Sequence, residues 1–237
     1  MDASYAVSGR RLLLTLAAAV ATLAIALAAT VGLLRLVAPD WLRSHGTDLR
    51  AIFLVEAYLA LGAGLLAGFG GPDGVARRLR FRFTSLTDVA LAIGLWVVTL
   101  FVGGLVTAAL TPILGPPQSN AVAVLRLAQD PLFVVLVLPT VTLLPPAAEE
   151  IVFRGGVLGW LSGRLPFVAA ALLTAALFAA AHLVVTAFAY LFLFGLAAAW
   201  VVHRTGSTFN CFVMHACQNM LAVVSAYSLL AHGGGAP

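Results

Sequence analysis

The sequence predicts an all-α fold, a polytopic bundle of about seven to eight transmembrane helices, and three observations predict it. Of 237 residues, 62% are hydrophobic and only 9% are charged, where a water-soluble domain carries roughly a quarter charged residues. The mean hydropathy is +1.06. The apolar residues gather in runs of about 20, the length that crosses the hydrocarbon core as a helix. These features rule out an ordinary soluble enzyme, and residues 1–237 read as a single membrane domain.

Seven runs follow one another at 12–34, 51–70, 88–110, 131–160, 166–185, 187–203 and 208–231. The first follows Arg10 and Arg11 like the h-region of a signal peptide, but it is too long for one and reads as a retained helix. Between the third and fourth, Pro112, Gly115, Pro116 and Pro117 end a helix. The apolar stretch 121–127 in that loop reads as interfacial or re-entrant, and as a span it would make eight crossings. The fourth run is overlong and the sixth short. Residues 1–130 supply the N-terminal helices; 131–231 carry the motifs discussed below.

The net charge of +4 comes entirely from arginine, since lysine is absent. Arg77, Arg78, Arg80 and Arg82 form the densest positive loop, which the positive-inside rule places in the cytoplasm. Alternation then brings the N-terminus with Arg10 and Arg11, the Arg164 turn and the Arg204 turn to that side. Arg35, Arg43, Arg50 and Arg126 fall opposite, beside Asp40, Asp48 and Asp130. No basic stripe with interleaved aromatics exists, so nucleic acid is not an expected partner. Cys211 and Cys217, six apart on one helix, point in different directions and read as free thiols.

An ionisable side chain inside a span costs several kcal/mol, roughly, unless it has a partner, a cavity or a function. Glu56 and Trp96 read as structural. The fourth run differs, because Pro145-Pro146 precedes the adjacent acids Glu149 and Glu150. The proline pair frees backbone carbonyls and is expected to break the helix. On the helix restarting after it, Glu150 and Arg154 are four apart, with the acid first, the favourable order for an ion pair. Glu149 points about 100° away with no partner on its own helix, which leaves it free to take up and return a proton.

His182 lies four residues after Phe178, and His215 and Asn219 share one helix face at i and i+4. Two histidines, a Glu pair and an Asn on three helices read as a site. The turn near Gly163 to Pro166 lies midway between positions 149 and 182, so an antiparallel hairpin holds those two side chains level. His215 lies roughly 13 Å inward of its own turn, which favours a tilted or partly interfacial stretch from Gly155 to Gly163. Glycines 155, 159 and 163 there form a stripe permitting close helix approach. The cavity is expected in the cytoplasmic half.

Glu149 to Arg154 reads EExxxR, Phe178 to His182 reads FxxxH, and His215 to Asn219 reads HxxxN, in that order. In this the chain resembles the CPBP family of intramembrane proteases, also called the Abi, or CAAX-protease and bacteriocin-processing, family. The motifs cover 131–231; the first three spans match only in being helical. The resemblance implies peptide-bond hydrolysis at the membrane. Glu149 would be the general base on water, helped by His182. His215 and Asn219 would polarise the carbonyl and stabilise the oxyanion, and Glu150, Arg154 and Phe178 would support the site.

The family has been described as metalloproteases, and Glu149, His182 and His215 could hold zinc with a position open for water. HExxH is absent, and Glu150, the nearby acid that could orient a ligating histidine, is expected to serve Arg154. The expectation is therefore no metal and no cofactor. Partners implied are membrane lipid and a peptide or membrane-protein substrate, and the location implied is a bacterial plasma membrane with the N-terminus in the cytoplasm. Against the protease stands a non-catalytic immunity or scaffold protein of the same fold. A transporter ranks last, for want of an inverted repeat.

Overall fold

The structure, a computed structural model, describes residues 8–37, 46–116 and 131–232. Among these residues there are helices and no strand. α1 runs Gly9–Val37, and its start is capped by Ser8, whose hydroxyl accepts the Arg11 N–H at 3.3 Å. α2 spans Gly46–Phe69 and lies against α1. Their approach is close, since a Cβ on Gly64 would stand 2.8 Å from the Ala19 Cα.

Gly70 and Gly71 (φ 85° and 76°) take the left-handed conformation that only glycine adopts freely. They turn the chain by 78° into α3, Gly71–Arg78. α4, Leu86–Leu114, is capped by Ser85, which accepts the Asp88 N–H at 3.1 Å. α5, Pro131–Glu150, continues without a break into a π-helical stretch, Ile151–Leu158, and a last turn, Gly159–Ser162. α6, Phe167–Ala181, is followed by a 3₁₀ turn, Val185–Ala187, and then by α7, Phe188–Thr205. α8 is Thr208–His232.

A helix therefore lies in each of the seven apolar runs. Among the described residues, three stretches are long and apolar enough to cross a membrane: Gly9–Val37, Leu86–Leu114 and Val185–Thr205. A fourth is added if the bent pair Tyr58–Phe69 and Gly71–Arg78 counts as one span. The expected fifth span is shorter than its apolar run, because α6 stops at His182. Its 15 residues rise about 22 Å.

The helix does not break at Pro145-Pro146, contrary to expectation. α5 runs through them, and the irregularity falls later, in wide π turns that carry both Gly155 and Gly156. Gly155 and Gly156 are buried, and a Cβ at these positions would stand 2.8 Å from Leu79 Cβ and from Leu12 Cδ1 respectively. Gly159 faces open space, so the close contact rests on 155 and 156 and does not follow the predicted stripe.

One end of the bundle collects the segments that alternation assigns to a single side. The Arg11 Nε donates to the Gly68 carbonyl at 3.2 Å. Thr208 Oγ1 donates to the Leu79 carbonyl at 2.8 Å, Ser207 Oγ to the Arg82 carbonyl at 2.5 Å, and Asn210 Nδ2 to Thr84 Oγ1 at 3.0 Å. Arg10, Arg11, Arg77, Arg78, Arg82, Arg164 and Arg204 are exposed at that end. Asp40, Arg43, Arg126, Asp130, the 121–127 stretch and the C-terminal tail lie outside the described residues, as do the side chains of Asp48, Arg50 and Glu56.

Two buried apolar clusters organise the rest. Phe178, Phe194, Leu158, Met214 and Cys211 fill the space between α6, α7 and α8. Leu12, Leu65, Phe69, Leu79 and Ala148 join α1 and α2 to the end of α5. Cys211 and Cys217 are free thiols, as expected.

Candidate active site

Glu149 and Glu150 lie at the junction of α5 with the π-helical stretch, and their side chains diverge as adjacent helical residues must. Glu150 is fully buried with Arg154, whose Nη1 donates to Glu150 Oε1 at 3.1 Å. This is the predicted ion pair, with an addition. The same oxygen lies 2.8 Å from His215 Nδ1, so Glu150 joins Arg154 to a histidine of α8. The i+4 spacing revealed Arg154 and could not reveal His215.

Glu149 faces the other helices and is 18% exposed. Its Oε2 lies 3.6 Å from His182 Nε2 and 3.9 Å from His215 Nε2, and it accepts no hydrogen bond from any described residue. The hairpin arithmetic is thus borne out for 149 and 182. On the other oxygen, Oε1, Tyr58 Oη of α2 donates at 3.4 Å.

His182 sits at the C-terminal cap of α6, and its Nδ1 lies 2.9 Å from the Phe178 carbonyl. A carbonyl only accepts, so Nδ1 carries the proton, and Nε2 is the ring nitrogen turned toward Glu149. His215 repeats the arrangement, with its Nδ1 set against Glu150 Oε1. Both rings are therefore held from behind at Nδ1, and both aim Nε2 at one carboxylate oxygen.

Phe178 forms the floor. It is fully buried, with the Arg154 guanidinium over its ring at 4.2 Å. Its edge contacts with His182 and His215 have centroid distances of 4.7 and 5.8 Å. The FxxxH spacing thus works twice: the Phe178 carbonyl orients His182, and the ring separates the imidazoles from the apolar core.

Asn219 does not sit open as a bare oxyanion donor. Its Nδ2 donates to the Val141 carbonyl of α5 at 3.1 Å. Two polar residues escaped the sequence reading. Tyr58 gave no signal, since its meeting with Glu149 depends on the register between α2 and α5. Gln218 could have been found by extending the search for polar residues in spans from ionisable groups to amides. Its Oε1 accepts from Trp96 Nε1 at 2.9 Å and from the Tyr190 hydroxyl. Trp96, expected to be merely packed, is therefore hydrogen-bonded.

Zinc would draw on Glu149 Oε2, His182 Nε2 and His215 Nε2. Glu150 serves both Arg154 and His215, so each imidazole has an acceptor behind it, as metal-bound histidines do. The front of the site is set wide at one ligand. Tetrahedral zinc with bonds of about 2.0 to 2.2 Å sets its ligands roughly 3.3 to 3.6 Å apart, and the 3.9 Å to His215 exceeds that. No group of three His, Cys, Asp or Glu among the described residues is arranged to hold a metal.

No curated protein and no solved structure matches the chain. The family model that matches is type II CAAX prenyl endopeptidase Rce1-like, over residues 131–221. That interval contains Glu149, Glu150, Arg154, Phe178, His182, His215 and Asn219, and excludes Tyr58 and Trp96. Apolar helices and family together indicate an integral membrane protein. Over residues 131–221 the chain matches the CAAX-protease family of membrane endopeptidases that its three motifs resemble.

Proposed function

We propose that this protein hydrolyses a peptide bond at or within the membrane, using water activated by Glu149. The observation that carries the reading is the pair of imidazoles converging through Nε2 on the unbonded Oε2 of Glu149. A water set among these three atoms donates one proton to Glu149 and directs the other to the bare Nε2 of His182. As its oxygen bonds to the scissile carbon, Glu149 keeps the proton and the carbonyl electrons move onto oxygen. When the C–N bond breaks, that proton passes to the departing amine.

His215 can donate from Nε2 only as an imidazolium, since Nδ1 already holds a proton against Glu150. The Glu150 carboxylate beside it supports that charge, and an Nε2–H then meets the oxyanion. Asn219 uses one amide hydrogen on Val141 and has a second to offer. Glu150, Arg154 and Phe178 hold these groups in place. The substrate is a peptide or membrane protein presented from the lipid, as in CAAX processing. We place the N-terminus and the arginine-rich end in the cytoplasm of a bacterium, with the cavity in that half of the plasma membrane.

The test is cleavage by the purified protein, in detergent or vesicles, of a panel of farnesylated CAAX peptides, leader peptides and single-span substrates. Wild type should cleave at least one, and Glu149→Ala and His182→Ala none. Folded wild-type protein that cleaves nothing, or a Glu149→Ala variant as active as wild type, would refute the reading and favour a non-catalytic protein of the same fold.

A further inference from the structure

The proline pair and Asn219 belong to one device. In an α-helix the carbonyl of residue 141 accepts the N–H of residue 145, and in a π turn that of 146. Here both are proline, and neither has an N–H. The pair therefore removes the α and the π partner of a single carbonyl, that of Val141. Thr142, the next residue, loses only its α partner and keeps the N–H of Ala147 within π reach. Pro145 and Pro146 are buried, where no water compensates the loss cheaply. The carbonyl left over is the one that accepts Asn219 Nδ2 at 3.1 Å.

We infer that Pro145 and Pro146 serve to free the Val141 carbonyl as an anchor for Asn219, making both prolines positioning residues for the oxyanion donor. An asparagine amide on a free rotor would sample several orientations. With one Nδ2 hydrogen fixed on α5, the direction of the second is fixed too, because the amide is planar. The same bond ties α8 to α5 one turn from His215, setting the depth at which HxxxN meets the Glu pair. This accounts for two prolines in a helix that continues without a break to Glu149 and Glu150. The inference rests on the reading of Asn219 as an oxyanion donor, but the bond itself can be tested without catalysis.

The experiment is a double-mutant cycle of Pro145→Ala and Asn219→Ala in the full-length protein, read by thermal unfolding in detergent and by kcat and KM on the best substrate. Pro145→Ala returns an N–H along the helix axis and should leave the melting temperature unchanged or raise it. It should also lower kcat about 10- to 100-fold, with KM within about twofold. Asn219→Ala should lower the melting temperature in the wild-type background and much less in the Pro145→Ala background, where the helix satisfies Val141 itself. Asn219→Asp, with the same shape but no donor, should be worse than Asn219→Ala beside the prolines.

Equal loss of stability from Asn219→Ala in both backgrounds would overturn the inference. So would a Pro145→Ala protein that unfolds, because then the ring and not the freed carbonyl matters. If wild type cleaves nothing, the protease reading fails while the melting cycle still decides whether the prolines anchor Asn219.

Discussion

Replacing Glu150 by Gln tests the division of labour between the two adjacent acids. Glu150 is 0% exposed, and its Oε1 takes both Arg154 Nη1 at 3.1 Å and His215 Nδ1 at 2.8 Å. The substitution leaves a buried guanidinium whose nearest counter-charge is gone, and its Nε and Nη2 have no hydrogen-bond partner among the described residues to take over. Removing one partner of a buried pair costs about 3 to 5 kcal/mol. For a chain of this size that lowers the melting temperature by roughly 6 to 20 °C.

Glu149→Gln removes a carboxylate that is 18% exposed and holds a single long hydrogen bond from Tyr58. Its cost should be about 0 to 1 kcal/mol, while activity is abolished. Both variants can be followed with a thiol-reactive fluorogenic dye, since Cys211 is a free thiol with 0% exposure that unfolding uncovers. Equal melting temperatures for the two variants would refute the assignment of Glu150 to structure and Glu149 to chemistry.

Tyr58→Phe should lower kcat about fivefold with little change in stability, since the lost hydrogen bond is long and contributes about 1 kcal/mol; unchanged kcat and pH profile would remove Tyr58 from the site. Gly155→Ala should cost about 1 to 3 kcal/mol because its Cβ would meet Leu79 Cβ at 2.8 Å, whereas Gly159→Ala, facing open space, should stabilise by up to about 1 kcal/mol. Matched melting temperatures for that pair would show that the π-helical stretch does not pack as described. Activity should survive chelation and extensive dialysis. Stoichiometric zinc, with loss of cleavage in chelator and rescue by added zinc, would reassign Glu149, His182 and His215 as ligands.

What could be read from the sequence was governed by distance along the chain. The meeting of Glu149 with His182 was legible because a hairpin with a known turn holds equidistant residues level. The Glu150–Arg154 pair was legible because helical periodicity makes i and i+4 neighbours. The contacts of Tyr58 with Glu149, of His215 with Glu150 and of Asn219 with Val141 span 91, 65 and 78 residues. They depend on packing angle and register, which in a chain of alternating Ala, Leu and Val carry little signal. The helix was expected to break at Pro145 because the local rule counts lost hydrogen bonds within one helix. An amide on another helix, that of Asn219, supplies one of the missing donors.

The arginine-rich loop after α3 has a consequence beyond its charge. Leu79, Arg80, Arg82 and Thr84 give backbone and hydroxyl groups to Ser207, Thr208 and Asn210, so a linker between N-terminal helices forms the seat on which the helix bearing His215 begins. A fragment cut at Pro131 to isolate the recognisable motifs would retain every signature residue and still lose that seat, together with Tyr58. Libraries that graft or shorten the N-terminal half therefore need to carry 71–85 intact.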